Sequence, residues 1–302
     1  MKKSEISYKI KEKAKELGFS NCGIIKARNL LEEEIHFKIW LEKGYNADMK
    51  YLHENFEKRM NPLKLVENTK SIIVLLFNYC PLNYESKSKY KISKYALSND
   101  YHKVIETKLN KLLEFINSEL QFVKGKAFVD SSPVLEKAIA KRANLGWIGK
   151  NSLLVTKKGS FYFISEIFVD IELEYNEIQS KDFCGTCTKC IDSCPTNAIY
   201  ENHKVDANKC ISYHTIENKG EIPEQLKGKF QNWIYGCDIC QDVCPWNSKI
   251  EPKLEANKKI IDMTNEQWEK LDEEKFNEIF SKSSVKRLKF KRLKRNIDFN
   301  KS

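Results

Sequence analysis

Eight of the chain's ten cysteines are crowded between residues 184 and 244, and this constrains what it can fold into more than any other feature. The first group reads Cys184-Gly-Thr-Cys187-Thr-Lys-Cys190-Ile-Asp-Ser-Cys194-Pro195, a C-x2-C-x2-C-x3-C-P run. The second, Cys237-Asp-Ile-Cys240-Gln-Asp-Val-Cys244-Pro245, repeats it with one cysteine missing, and Cys210 lies between the two. The spacing suits iron–sulfur cubes. Three thiolates on one tight loop reach three irons, while the fourth, followed by a proline, points away to a second cube. Two [4Fe–4S] clusters need eight thiolates, and the region has eight. Cluster one then takes Cys184, Cys187, Cys190 and, by crossover, Cys244; cluster two takes Cys194, Cys210, Cys237 and Cys240. A pair of structural zinc sites is the rival reading, because CxxC pairs also bind zinc. The long run ending in C-x3-C-P is far less natural for zinc. Cys22 and Cys80 stand apart and read as apolar packing residues.

Such thiols persist in a reducing compartment, and no export signal opens the chain, so a cytoplasmic protein is expected. No apolar run approaches the roughly 18–20 residues of a membrane helix. The longest, Ser71–Tyr79, has strand length and continuous burial character. Helical spacing marks residues 4–17, 30–43 and 104–120, the last through Val104, Ile105, Leu109, Leu112, Leu113, Ile116 and Leu120. Ala127–Val129 and Phe161–Ile171 read as further strands, and Ser86–Lys94 as a lysine-rich loop. Ser132-Pro133 reads as a helix start, running to about Ala143. This mixture predicts an α+β body over residues 1–178, a cluster-binding module over 179–250 and a helical segment over 251–302.

The net charge of +10 is uneven: residues 281–302 hold nine Lys/Arg and one Asp, a net of +8, leaving +2 for the rest. Such a tail points to a polyanionic partner, nucleic acid first, against the plainer alternative of a solvated, solubilising end. Phe290, Leu293 and Ile297 fall at i, i+3 and i+7, so one stripe can dock while the basic face looks outward.

Several segments together carry a resemblance. They are Asp100-Tyr101-His102, Phe128-Val-Asp-Ser-Ser-Pro133, Leu145-Gly-Trp-Ile-Gly-Lys-Asn-Ser152, Cys210-Ile-Ser-Tyr213, Thr215-Ile-Glu217, Tyr235-Gly-Cys-Asp238 and the two cysteine motifs. In this order they resemble the epoxyqueuosine reductases, which complete queuosine, a modified wobble base of certain tRNAs. The resemblance implies an α/β-like cobalamin-binding reductase domain, related in architecture to reductive dehalogenases, joined to a ferredoxin-like two-cluster module. It implies that the clusters reduce cobalamin, bound base-off without a histidine ligand. The sequence agrees in lacking Asp-x-His-x-x-Gly, since Ile105 stands where the glycine would be. A small-molecule reductase and a plain ferredoxin-like electron carrier are the competing functions; the basic tail speaks against the first and some 180 preceding residues against the second.

The position matching the family's proton donor is Asp130, which a strand end is expected to desolvate enough to hold a proton near neutral pH; a turn-capping role is the alternative. Asp100, Tyr101 and His102 match a segment beside the substrate, although Asp100 also reads as a helix cap. Arg59 matches a family arginine expected on the corrin, with a surface ion pair as the alternative. Asn151, Ser152, Ser212, Tyr213 and Asp238 are expected near cobalamin. Lys286, Arg287, Lys289, Lys291, Arg292, Lys294 and Arg295 are expected on tRNA phosphates. An unidentified low-potential electron donor and a monomeric state complete the expectation. Two departures from the family pattern are visible: many members continue into C-terminal helical repeats, and His214 stands where an apolar residue is expected.

Overall fold

The computed structural model describes residues 1–82, 84–176 and 181–301. Its centre is a four-stranded antiparallel sheet of β1 (Asn21–Lys26), β2 (Ser71–Asn78), β3 (Gly125–Val129) and β4 (Tyr162–Val169), in the order β1-β2-β4-β3. All eight residues of β2 are buried, which explains why its sequence does not alternate. Ile73, Leu75 and Phe77 face a core shared with Ile6 and Ile10 of α1 (Lys3–Glu16) and Ile105, Leu109 and Leu112 of α2 (Tyr101–Phe115). Ile72, Val74 and Leu76 face the other way, onto Ile139 and Ala140 of α3 (Glu136–Arg142). A strand covered on both faces has no polar side to show. No helix among the described residues is long and apolar enough to cross a membrane.

The helix expected from Ser132-Pro133 begins later, at Glu136, with Leu135 before it and no side-chain cap. The cause is Asp130, which ends β3 with φ at 56°. That left-handed step turns the chain, and residues 131–135 complete the bend before helical geometry resumes. Glu136 then reaches back, its Oε1 accepting the Asp130 N–H at 2.6 Å.

The lysine-rich stretch is not simply a loop. Lys91–Ile92 pairs in parallel with Trp233–Tyr235, and Tyr90, Ile92, Ala96 and Leu97 are buried. They share one core with Ile234, Tyr235, Trp268, Phe276, Phe280, Leu293 and Ile297. The segment after residue 250 therefore has its core in common with both preceding regions. The boundary expected at residue 178 lies outside the described residues.

The basic tail forms α5 (Phe290–Phe299), docked by its apolar stripe, with Leu293 and Ile297 fully buried and Phe290 partly so. Burying a side chain of that size contributes about 1.5–3 kcal/mol. Asn296 on the same face is also fully buried and donates through Nδ2 to the carbonyls of Thr215 (2.8 Å) and Ile234 (2.9 Å). Those two bonds tie α5 to α4 (Ile211–Ile216) and to the strand leading into Cys237. His214, which departs from the family pattern, is accounted for here. It is buried, its Nε2 lies 2.8 Å from the Asn208 carbonyl, and its Nδ1 lies 3.2 Å from the Asn218 amide. Burial, outweighing the Asn208 bond, holds its pKa below the ordinary value, so it is a neutral packing residue that happens to be polar.

Candidate active site

Asp130 is the hub of the polar groups at the end of β3. Its Oδ2 accepts the Tyr101 hydroxyl at 2.6 Å and lies 3.0 Å from His102 Nε2 and 3.9 Å from Arg287 Nη1. Tyr101 is held flat between Phe163 and His102, both rings centred 4.0 Å from its own. Asp100 caps α2: its Oδ1 accepts the His102 N–H and also lies 2.7 Å from His102 Nδ1. The first turn of α2 thus places one imidazole, His102, between two carboxylates, Asp100 and Asp130.

The protonation state differs from that expected of Asp130. Burial raises its pKa, but the bonds from His102 and Tyr101 and the charges of His102 and Arg287 prevail and hold it below the carboxylate norm. Burial is the largest single influence, and the four opposing contacts together exceed it. Burial lowers His102 in turn, yet its bonds to Asp130 and Asp100 outweigh that and raise it. The same contacts thus favour a charged Asp130 carboxylate and a more basic His102 imidazole. The second neighbour of His102 Nε2 is Arg287 Nη1, at 2.7 Å. Nε2 can donate to Asp130 when protonated or accept from Arg287 when neutral, but not both at once.

Glu136 is the carboxyl pushed upward, to about 8, by burial and by the neighbouring Asp130 charge. Glu166 of β4, fully buried with neither oxygen bonded among the described residues, is likewise pushed well up by burial and by Glu136. Both are neutral acids at moderate pH, packed behind Asp130.

A hollow of about 140 Å³ joins this group to the cysteine region. Asp130, Tyr101, Glu136 and Lys137 line it on one side and Gln241, directly after Cys240, on the other. Gln241 donates to the Tyr79 hydroxyl at 3.1 Å and to the Ser160 carbonyl at 3.2 Å. Lys137 Nζ donates to the Ser152 carbonyl at 2.7 Å, and Asn151 Nδ2 reaches the Cys240 carbonyl at 3.4 Å.

Thiols from different sequence motifs lie near one another. Burial raises the Cys190 thiol, and the sulfurs felt beside it are those of Cys184, Cys244 and Cys187. Burial likewise raises Cys237, with Cys210 and Cys194 as its sulfur neighbours. Cys240 has Cys237, Cys210 and, more weakly, Cys190 beside it. Among the described residues no three His, Cys, Asp or Glu side chains converge as ligands of a single ion do. Thiolates around a cube stand farther apart, because each binds a different iron. Of the remaining cysteines, Cys80 is buried and Cys22 partly so.

The residues expected around cobalamin divide. Arg59 fits: it is half-buried over the Tyr51 ring (5.8 Å), and its Nε has no acceptor among the described residues. Ser212 is part-buried at the start of α4. Ser152 is left-handed (φ 62°) and donates to the His203 carbonyl at 2.6 Å, while the Tyr213 hydroxyl is 3.3 Å from Asp48 Oδ2. The Asp238 carboxylate is fully buried, bonded by the Ser93 hydroxyl and by the Lys94 N–H at 2.7 Å, so the side chain holds the 93–94 turn.

Three cations of the tail have carbonyl partners within the chain. Arg292 Nη1 donates to the Ile216 carbonyl (2.9 Å), Arg295 Nη2 to the His214 carbonyl (2.8 Å) and Lys294 Nζ to the Glu269 carbonyl (2.5 Å). These three cations clamp α5 to the fold. Lys286, Lys289 and Lys291 stay exposed, and Arg287 turns to His102 and Asp130. Sequence reasoning missed Glu136 and Gln241 as site residues, and it named Arg287 for tRNA phosphates without placing it beside Asp130. Glu136 lies just beyond the quoted Phe128–Pro133 segment and Gln241 inside the second cysteine motif, but nothing local marks Arg287.

Residues 183–247 match a family described as "4Fe-4S double cluster binding domain", and residues 59–131 one described as "Epoxyqueuosine reductase QueG, DUF1730". An epoxyqueuosine reductase of Cellulophaga algicola is 51% identical over 295 residues, covering 96% of each chain. The chain belongs to the epoxyqueuosine reductase family. The solved epoxyqueuosine reductase of Streptococcus thermophilus superposes with a TM-score of 0.89 at 29% identity, over 98% of this chain and 80% of that one. Another epoxyqueuosine reductase, crystallised with an epoxyqueuosine-modified tRNA-Tyr stem loop, superposes at 0.88 and 28% identity, with the same coverage. The family's α+β fold with a two-cluster module is the fold described above.

Proposed function

We propose that this chain reduces epoxyqueuosine in tRNA to queuosine, with electrons passing through two [4Fe–4S] clusters to a cobalamin held beside Asp130. The convergence of Asp130 and Gln241 on one hollow carries the reading, because it brings a proton-handling carboxylate next to the cysteine region. Cys184, Cys187, Cys190 and Cys244 ligate cluster one; Cys194, Cys210, Cys237 and Cys240 ligate cluster two. The corrin's amides and phosphate are taken by Arg59, whose Nε–H lacks an acceptor among the described residues, and by Asn151, Ser152, Ser212 and Tyr213.

The reaction consumes two electrons and two protons, removes the epoxide oxygen as water and leaves a carbon–carbon double bond. Bound cobalamin supplies the electron pair at carbon. The chain's own residues handle the protons. His102 Nε2 passes its proton to Asp130, and Asp130 delivers it to the departing oxygen; the second proton, which completes the water, comes from solvent through the half-exposed Asp130 carboxyl. Arg287 then donates to the freed Nε2, and Asp100 keeps the Nδ1 proton in place. The contacts from Tyr101, His102 and Arg287 all fall on Oδ2, which leaves Oδ1 for the substrate.

Since the reserve proton sits on a histidine raised above its ordinary value, kcat/KM is expected to fall as pH rises through that pKa, above about 6.5. A pH–rate profile in which His102→Gln keeps the same alkaline limb would remove His102 from the relay. Lys286, Lys289 and Lys291 meet tRNA phosphates. Replacing all three with alanine should weaken stem-loop binding and flatten its salt dependence by roughly two units of log–log slope; unchanged affinity would exclude them. One chain carries the whole site, so a monomer suffices.

Turnover is the test. Anaerobic protein, cobalamin and dithionite are mixed with epoxyqueuosine tRNA, and the digested nucleosides are weighed by mass spectrometry. The expected product is lighter by one oxygen. Its absence, with clusters and cobalamin both shown to be bound, overturns the assignment.

A further inference from the structure

The chain must draw two electrons per turnover from outside, and its two thiol sets are not equally placed to receive them. Around the second set Thr196, Ile211, Gly236, Asp238 and Gln241 are buried. Around the first, Phe183, Gly185, Thr186 and Thr188 are exposed. Cys184 is also the thiol with an aromatic cover: Trp147 Nε1 lies 3.4 Å from its sulfur, and the Trp147, Phe183 and Trp246 rings pack together with centroids 5.0–6.1 Å apart.

Beside this cover opens a cleft of about 770 Å³, lined by both Trp147 and Phe183. Its size does not make it the reaction site, since neither Asp130 nor any cysteine lines it. Its rim is cationic. Lys15, Lys157, Lys158, Lys181 and Lys253 line it with Glu251 as the single lining acid among the described residues, and all six are exposed. Lys157 sits 5.6 Å above the Phe183 ring, and Lys249, just outside, 4.6 Å above Trp246. A lysine rim around aromatic rings that touch a cluster sulfur combines long-range attraction for an acidic partner with a short route for the electron.

We infer that this cleft is the docking site of a small, acidic, one-electron carrier protein, which delivers electrons to cluster one through the Trp147–Phe183 face. The inference rests on the cluster assignment above. Charge complementarity selects the partner: a cationic patch of this kind speeds encounter with an acidic surface, and electron-transfer complexes are small and transient. A tRNA phosphate is also acidic but gains nothing from contact with a cluster ligand.

The test is anaerobic stopped-flow bleaching of the cluster absorbance in holoprotein, with photoreduced flavodoxin as the probe. In the wild type the rate should fall steeply with ionic strength. In Lys157→Glu/Lys158→Glu/Lys181→Glu it should fall roughly 10- to 100-fold at low salt, while dithionite, which needs no docking, bleaches both proteins alike. The milder Lys157→Gln/Lys158→Gln variant, matched to wild type in iron content, should show a smaller loss of the same kind. Equal flavodoxin rates in wild type and variants, or a rate indifferent to salt, would overturn the docking site. So would loss of tRNA stem-loop affinity in the variants with flavodoxin kinetics intact, which would make the cleft an RNA face. Failure of dithionite to bleach even the wild type counts against the cluster assignment instead.

Discussion

Replacing Asp130 with asparagine is expected to slow turnover by roughly 10²–10⁴-fold, the usual range for loss of a positioned proton donor. Both clusters and the stem-loop affinity should be unaffected. The substitution is unusually clean at this position. Asp130 has φ at 56°, a left-handed conformation that asparagine tolerates better than most residues, so the turn into α3 is preserved. The amide oxygen can still accept from the Tyr101 hydroxyl, but the group can neither take a proton from His102 nor give one to the substrate. Single-turnover mass spectrometry on matched, cluster-loaded samples measures the effect directly. A loss of less than about twofold would mean that the proton reaches the epoxide by another route, with Glu136, neutral up to about pH 8, the next residue to change.

The second large effect concerns ligand crossover. Cys244→Ala and Cys184→Ala are each expected to abolish the same cluster, reducing iron from about eight to about four per chain. Cys240→Ala should abolish the other. The residual electron paramagnetic resonance spectra of the reduced variants decide the matter. Those of Cys244→Ala and Cys184→Ala should coincide, and both should differ from that of Cys240→Ala. If Cys244→Ala instead matches Cys240→Ala, each motif holds its own cluster and the crossover is wrong. The expectation follows from the spatial grouping of the thiols, in which Cys190 has Cys244 as a neighbour and Cys237 has Cys194 and Cys210.

These two predictions draw on different kinds of information, and the difference runs through the whole molecule. Cysteine spacing is local: a loop of a few residues either presents thiolates to a cube or does not, so the cluster module can be read from the order of residues. The β2 strand is similarly legible, because a run of aliphatic and β-branched residues too short for a membrane has few other uses. The α2 helix is announced by its apolar period and by Asp100 at its cap. Even the docking stripe of α5 is visible as a period, since burial of one helical face leaves a repeat in the sequence.

Charge state and partnership leave no such trace. By itself the sequence determined the cluster chemistry, the mixed fold and the family, along with Asp130 as the carboxyl to test. Only the tertiary structure decided that Arg287, 157 residues downstream, stands at Asp130 while Arg292, Lys294 and Arg295 are tied to carbonyls. It also decided that His102 is raised by Asp130 and Asp100, that the carboxyls pushed upward are Glu136 and Glu166, and that Asp238 braces a turn. The physical reason is that periodicity and motif spacing record which face a residue presents over a few turns of chain. A pKa or an ion pair depends on burial and on charges brought in from distant segments, and those exist only once the chain has folded.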